Sequence, residues 1–142
     1  MAQVIIYQNP NGPNVCVCTP SGEIPIEDVL IQNCPPDAII VDDSTLPQGN
    51  DIEFFNAWVL NGSTVTVDIP TAQAEYLVTF NNAAGKAAQT RQLNTLSGIP
   101  NNPNDATWLN AVNANRGLIS IATTTNELLS IPLPTPTTGA NP

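Results

Sequence analysis

Apolar positions in the first seventy residues fall in short β-branched runs, whereas from residue 71 onward they recur at helical spacing. Val4-Ile5-Ile6-Tyr7 ends at the breaker cluster Asn9-Pro10-Asn11-Gly12-Pro13, and Val15-Cys16-Val17-Cys18-Thr19 follows with high strand propensity. The two are predicted to pair as antiparallel strands. Pro20-Ser21-Gly22 turns the chain. Residues 25–31 then read as a short helix, with Pro25 at its start, Glu27 and Asp28 in the first turn where the helix dipole favours acids, and Ile26, Val29 and Leu30 on one face. Ala38-Ile39-Ile40-Val41 is fenced by Pro35-Pro36 and by a turn signal at 44–47. Too short for a helix, it reads as a fully buried strand at the centre of its unit. Phe54, Phe55 and Trp58 are predicted to supply most of the core volume of this half. Val65 and Val67 alternate with Thr64, Thr66 and Asp68, opposite Trp58-Val59-Leu60, and the intervening Asn61-Gly62 predicts a type I′ hairpin turn.

Residues 72–96 are rich in Ala, Gln and Leu, and Tyr76, Phe80, Ala83, Ala84, Ala87 and Ala88 fall at intervals of three and four. Alanine on that stripe lets a second helix approach closely. Ser97-Gly98 is a stop signal, residues 99–104 form a linker, and Asn104 or Asp105 caps a second helix with Trp108, Val112, Asn115, Ile119 and Ala122 on one face. The pair reads as an αα-hairpin. Gly117 and the threonines at 123–125 predict a break or kink, since glycine inside a helix costs about 1 kcal/mol relative to alanine. Four prolines in residues 131–142 exclude helix and sheet and predict an extended, polyproline-like arm. The class is therefore α+β: an acidic unit over 1–70 with four or five short strands and one or two small helices, a helical hairpin over 71–129, and a Pro/Thr-rich tail over 130–142.

Charge sharpens the division. The chain has twelve acids, three bases and no histidine, for a net charge of −9. Nine acids and no base lie in residues 1–70, while Glu75, Asp105 and Glu127 balance Lys86, Arg91 and Arg116 in the remainder. That shift marks a boundary near Pro70 and suggests that the acidic half faces solvent or a basic partner. Nucleic acid and anionic membrane surfaces are poor partners for a chain without clustered cations. There is no basic segment followed by a long apolar one at the N-terminus, and no run approaches the ~18 apolar residues of a membrane span, so synthesis in a reducing cytoplasm is the expectation.

Asp42-Asp43, with Glu53, invites a metal or acid–base reading, but consecutive strand residues point to opposite faces, and capping of the Ser44-Thr45 turn is the simpler role. Cys16, Cys18 and Cys34 give only three zinc ligands and no histidine completes them. Buried free thiols are expected, with a disulfide from Cys34 to Cys16 or Cys18 as the alternative on oxidation. Trp108 and Arg116, two helical turns apart, could stack a ligand, although such a tryptophan is more commonly a core or interface anchor. No catalytic, cofactor or metal residue is expected, and the chain reads as a non-enzyme.

The runs MAQVIIYQNPNG, VCTPSGEIPIEDVL, CPPDAIIVDDSTLP and FFNAWVLNGSTVTVDIPTAQA resemble small proteins encoded beside tail-fibre or late structural genes in tailed bacteriophages, cyanophages among them. The resemblance covers residues 1–74 closely and the helical hairpin loosely, and the order IVDDS-LP…F-AW carries most of it. It implies a non-enzymatic tail or tail-fibre component, either an accessory subunit or a fibre chaperone retained in the virion, present in the host cytoplasm during assembly. The implied partners are other phage structural proteins, in the fibre or baseplate. A capsid cement protein is the alternative within that class, and a small carboxylate-dependent enzyme is the alternative outside it. Related chains often carry a charged helical segment where 72–129 is nearly neutral here, which favours a permanently docked helix pair. Two helices cover only one side of each other, so Phe80, Trp108, Val112 and Ile119 are expected to need further cover, from the N-terminal unit or, as the favoured source, from a neighbouring subunit, with Ile131 and Leu133 of the tail as a docking arm.

Overall fold

Strand β1, Gln3–Gln8, is the element around which the first unit is assembled. It pairs antiparallel on one side with β2 (Val15–Cys18), through Ile5 opposite Cys18 and Tyr7 opposite Cys16. On the other side it pairs antiparallel with β3 (Ile39–Asp42), through Val4 opposite Val41 and Ile6 opposite Ile39. The sheet order is thus β2-β1-β3. The computed structural model describes residues 2–137, and the chain divides into two units, Met1–Asp68 and Ile69–Pro142.

Period-two alternation sends the three buried residues of β1 to opposite faces. Val4 and Ile6 pack with Val15, Trp58 and Val65. Ile5 packs with Val29 and Ala38, flanked by Ile26, Leu30 and Cys34. Helix α1 (Ile26–Asn33) therefore covers one face of the sheet, and the hairpin of β4 (Trp58–Asn61) and β5 (Thr64–Val67) covers the other. The strand expected to be fully buried, residues 38–41, is instead an edge: all four residues of β3 are half-buried. Among the described residues its outer side has no strand partner, because β4 and β5 close on each other and lie on the sheet face rather than extending its edge. Asn61 pairs with Thr64, so the two-residue loop is Gly62-Ser63, one position later than the Asn61-Gly62 turn expected. Gly62, at a φ of 64°, takes the first central position, where a positive φ is required. Between β3 and β4 two 3₁₀ segments, Asp43–Thr45 and Gly49–Ala57, carry the aromatics. Phe54 and Trp58 turn inward, with the Trp58 indole donating to Asp51 O at 3.0 Å, while Phe55 and Ile52 remain on the surface.

The second unit begins with α2, Ile69–Leu96, whose Pro70 sits in the first turn, where a missing N–H costs nothing. Ala72, Tyr76, Phe80, Ala84, Ala87 and Arg91 are buried along it. Ala83 is half-buried and Ala88 exposed, so the stripe continues to Arg91 instead of Ala88. Gly98, at a φ of 75°, ends the helix as expected of a C-terminal glycine. Asn104 caps α3 (Asp105–Ile121) by accepting from Thr107 N–H at 2.9 Å, and Trp108, Val112, Asn115 and Ile119 form its buried face. Gly117 lies on the exposed side and does not break the helix. The break falls at Ala122, after which a further short helix, α4 (Thr125–Leu129), starts behind a box in which Thr124 accepts from Glu127 N–H and Glu127 accepts from Thr123. The expected two-helix arm is thus three helices. Residues 131–137 follow without helix or strand, and residues 138–142 of the expected tail lie outside the described residues. No helix among the described residues is long and apolar enough to cross a membrane.

Candidate functional site: a strapped helical groove

Arg91 is the residue on which the second unit converges. It is only 3% exposed, although it ends an otherwise apolar stripe. Its guanidinium donates to Asp105 Oδ1 at 2.9 and 3.2 Å, to Pro103 O at 2.6 Å and to Pro136 O at 2.7 Å, and lies over the Trp108 ring, 5.1 Å from its centroid. One planar fork therefore joins α2, the α2–α3 connection, the start of α3 and the chain after α4. Asp105 is 80% exposed, so the ion pair itself is worth little, and the weight lies on the buried donors to main-chain carbonyls.

The segment after α4 is held as a strap by these donors. Tyr76 donates its hydroxyl to Ile131 O, the Trp108 indole donates to Thr135 O at 2.8 Å, and Arg91 takes Pro136 O. Ile131 and Pro134, three residues apart, are the buried side chains of the strap, while Pro132, Leu133 and Thr135 face outward. The segment lies in neither helix nor strand, so its carbonyls are free to accept from side chains. Burial holds the Tyr76 phenol above its ordinary pKa, so it remains a donor across the physiological range.

The residues expected to meet a partner are now placed. Phe80, Trp108, Val112, Ile119 and Ile131 are each at most 6% exposed, and Leu133 alone of the set is on the surface, at 39%. The cover that Tyr76 and Trp108 receive comes from the chain's own residues 131–136. Arg116 does not stack with Trp108: it lies over Phe80, 5.7 Å from the ring centroid, and donates to Asn81 and Asn113. The sequence reading missed Arg91, whose signal was its place seven residues beyond Ala84 and four beyond Ala87, on the buried stripe.

Of the acids of the first unit singled out above, Asp42 is bound into local structure. Asp42 accepts from the N–H and the hydroxyl of Ser44, at 3.2 and 3.1 Å, and these hydrogen bonds, the backbone one foremost, hold its carboxyl below the ordinary value. It caps the turn, and Glu53 is exposed elsewhere. Cys16, Cys18 and Cys34 are free, but half-buried where burial was expected. Burial, and then the neighbouring Cys18, push the Cys34 thiol up from its ordinary value. Among the described residues no group of three His, Cys, Asp or Glu is placed to hold a metal ion.

Two clefts of about 480 Å³ each flank the α2–α3 seam. One, beside Arg91 and Trp108, is walled by Ala88, Leu96 and Leu109; the other, at the opposite end of the helices, by Pro70, Leu77, Ile119 and Arg116. In the same unit Leu93, Leu96, Ile99, Leu109, Leu118 and Ile121 are 45–77% exposed, and of these Leu96 and Leu109 line the first cleft. No protein-family model, no curated protein and no solved structure matches this chain.

Proposed function

We propose that this protein is a non-enzymatic structural subunit of a tailed-bacteriophage tail or tail fibre, retained in the virion and working through protein–protein contacts of its helical unit. The observation that carries the reading is the set of large apolar side chains left on the outside of a unit with no net charge: Leu93, Leu96, Ile99, Leu109, Leu118 and Ile121. Leu96 and Leu109, exposed on the wall of one cleft, mark an interaction surface, and a neutral unit approaches a neighbour without like-charge repulsion. The phage assignment itself rests on the sequence resemblance of residues 1–74.

The docking surface is therefore assigned to the cleft walled by Leu96 and Leu109, and no longer to Trp108, whose truncation would first unfold the strap. Leu96→Glu with Leu109→Glu is expected to leave the melting temperature of the isolated protein within a few degrees of the parent, since both side chains are at least half exposed. Incorporation into purified particles, or retention of the fibre protein, should fall at least tenfold. Normal incorporation of the double variant would overturn the docking surface. Absence of the protein from purified particles would overturn the virion assignment, and density on the head in place of the tail would favour capsid cement.

A further inference from the structure

We propose that the groove formed by Tyr76, Arg91 and Trp108 is a binding site for a proline-rich extended segment, and that it takes the strap of a second copy of this chain, by exchange of residues 125–137 between copies. The three donors reach main-chain carbonyls of Ile131, Thr135 and Pro136, and the buried side chains of the exchanged piece are Thr125, Leu128, Ile131 and Pro134. Gln73 donates to Ala122 O at 2.7 Å on the near side of the connection and stays within its own chain, so the same segment 125–137 arriving from another copy makes the same contacts. Recognition of polyproline geometry by aromatic and donor side chains is a general mode of peptide binding, since the ligand is extended beforehand and loses little entropy on docking.

Three features point to a second copy as the source. The connection between α3 and the exchanged piece is only residues 122–124, and Ala122 and Thr124 are already in extended conformations, with ψ of 136° and 158°. A short hinge of that kind is what favours exchange over reclosure when copies are crowded. The unit has no net charge to keep copies apart. Leu133 on the strap, 39% exposed, and Leu96 and Leu109 beside the groove supply apolar surface for the contact an exchanged pair would add. A segment tethered in the same chain acts at an effective concentration of order millimolar, so the single chain closes on itself when dilute and exchange is reached where copies are held side by side.

The probe is a synthetic peptide with the sequence of residues 125–137, added to the full-length chain carrying Pro134→Asp, which disables its own strap. Dose-dependent recovery of Trp108 emission and of cooperative helical melting is expected, with at least tenfold weaker recovery from a peptide carrying the same Pro134→Asp change. The readout includes refolding, so a variant that is unfolded alone still reports. No recovery at millimolar peptide would overturn the groove as a site. The source is tested separately, on wild-type protein mixed with its nitrogen-15-labelled counterpart, refolded together near millimolar concentration and examined by native mass spectrometry. Mixed dimers are expected for the wild type and their loss for Pro134→Asp. A wild type that stays monomeric, or dimers that persist in the variant, would overturn exchange.

Discussion

The two units reach a closed core by different routes. In Met1–Asp68 the apolar side chains of one strand alternate between two faces, and each face meets a lid made from nearby chain, α1 on one side and the β4–β5 hairpin on the other. The ladder hydrogen bonds are backbone to backbone and do not depend on which side chains are present. In Ile69–Pro142 two helices close only one side of each other, and residues 122–137 come back over Tyr76 and Trp108. That segment is held by a few side-chain donors on main-chain carbonyls. A sheet sandwiched between two lids tolerates the loss of a surface contact, whereas a strapped helix pair rests in part on a handful of bonds to one extended segment.

The largest expected effect breaks the second route alone. Deleting residues 131–142 removes the buried Ile131 and Pro134 and three hydrogen bonds to carbonyls, together about 5 kcal/mol from the transfer of one large apolar side chain and part of a proline plus roughly 1 kcal/mol per bond. Amide hydrogen exchange should lose protection throughout α2 and α3 while β1, β2 and β3 keep theirs. Equal loss in both units would show that the strap is not what distinguishes them.

A core substitution in the first unit probes the converse. Ile5 is fully buried between β1 and α1, and Ile5→Ala is expected to cost about 3–4 kcal/mol through lost transfer energy and the cavity left behind. Protection in the sheet should collapse and that in α2 and α3 persist. If the helices lose protection with the sheet, the two routes to closure are coupled.

The smallest effect concerns the turn after β3. Because the Ser44 N–H and hydroxyl favour the ionised Asp42, its folded pKa lies below the ordinary value. The stability it adds is fully present above the ordinary carboxylate range and is lost as pH falls through the lowered folded value. Asp42→Ala should therefore lower the melting temperature slightly at pH 7, and the difference from the parent should vanish in strong acid. A difference that persists at pH 2 would assign the effect to packing instead of the cap.

Elements were legible in the sequence wherever the signal was local. The Asn9–Pro13 breakers, the alternation at 64–67, the Asn104 cap and the stripe through Trp108, Val112, Asn115 and Ile119 all depend on neighbours within a turn or a hairpin, and each appears in the fold. The candidate site was not legible as a site. Tyr76, Arg91 and Trp108 lie on two helices, and their ligand is a carbonyl row 27 to 55 residues away in the case of the two aromatics.

What the sequence determined by itself is the α+β order, the charge division and the identity of most buried faces, because periodicity and capping are properties of consecutive residues. Tertiary structure decided the rest. Which strand is central depended on β4 and β5 pairing with each other, so that the β-branched run at 38–41 became an edge. The proline-rich stretch reads in sequence as an arm with no partner of its own, since polyproline geometry carries no internal hydrogen bonds. Its carbonyls found donors only when the helix pair brought Tyr76, Trp108 and Arg91 onto one side, and a buried arginine on an alanine stripe is stable only where such acceptors converge.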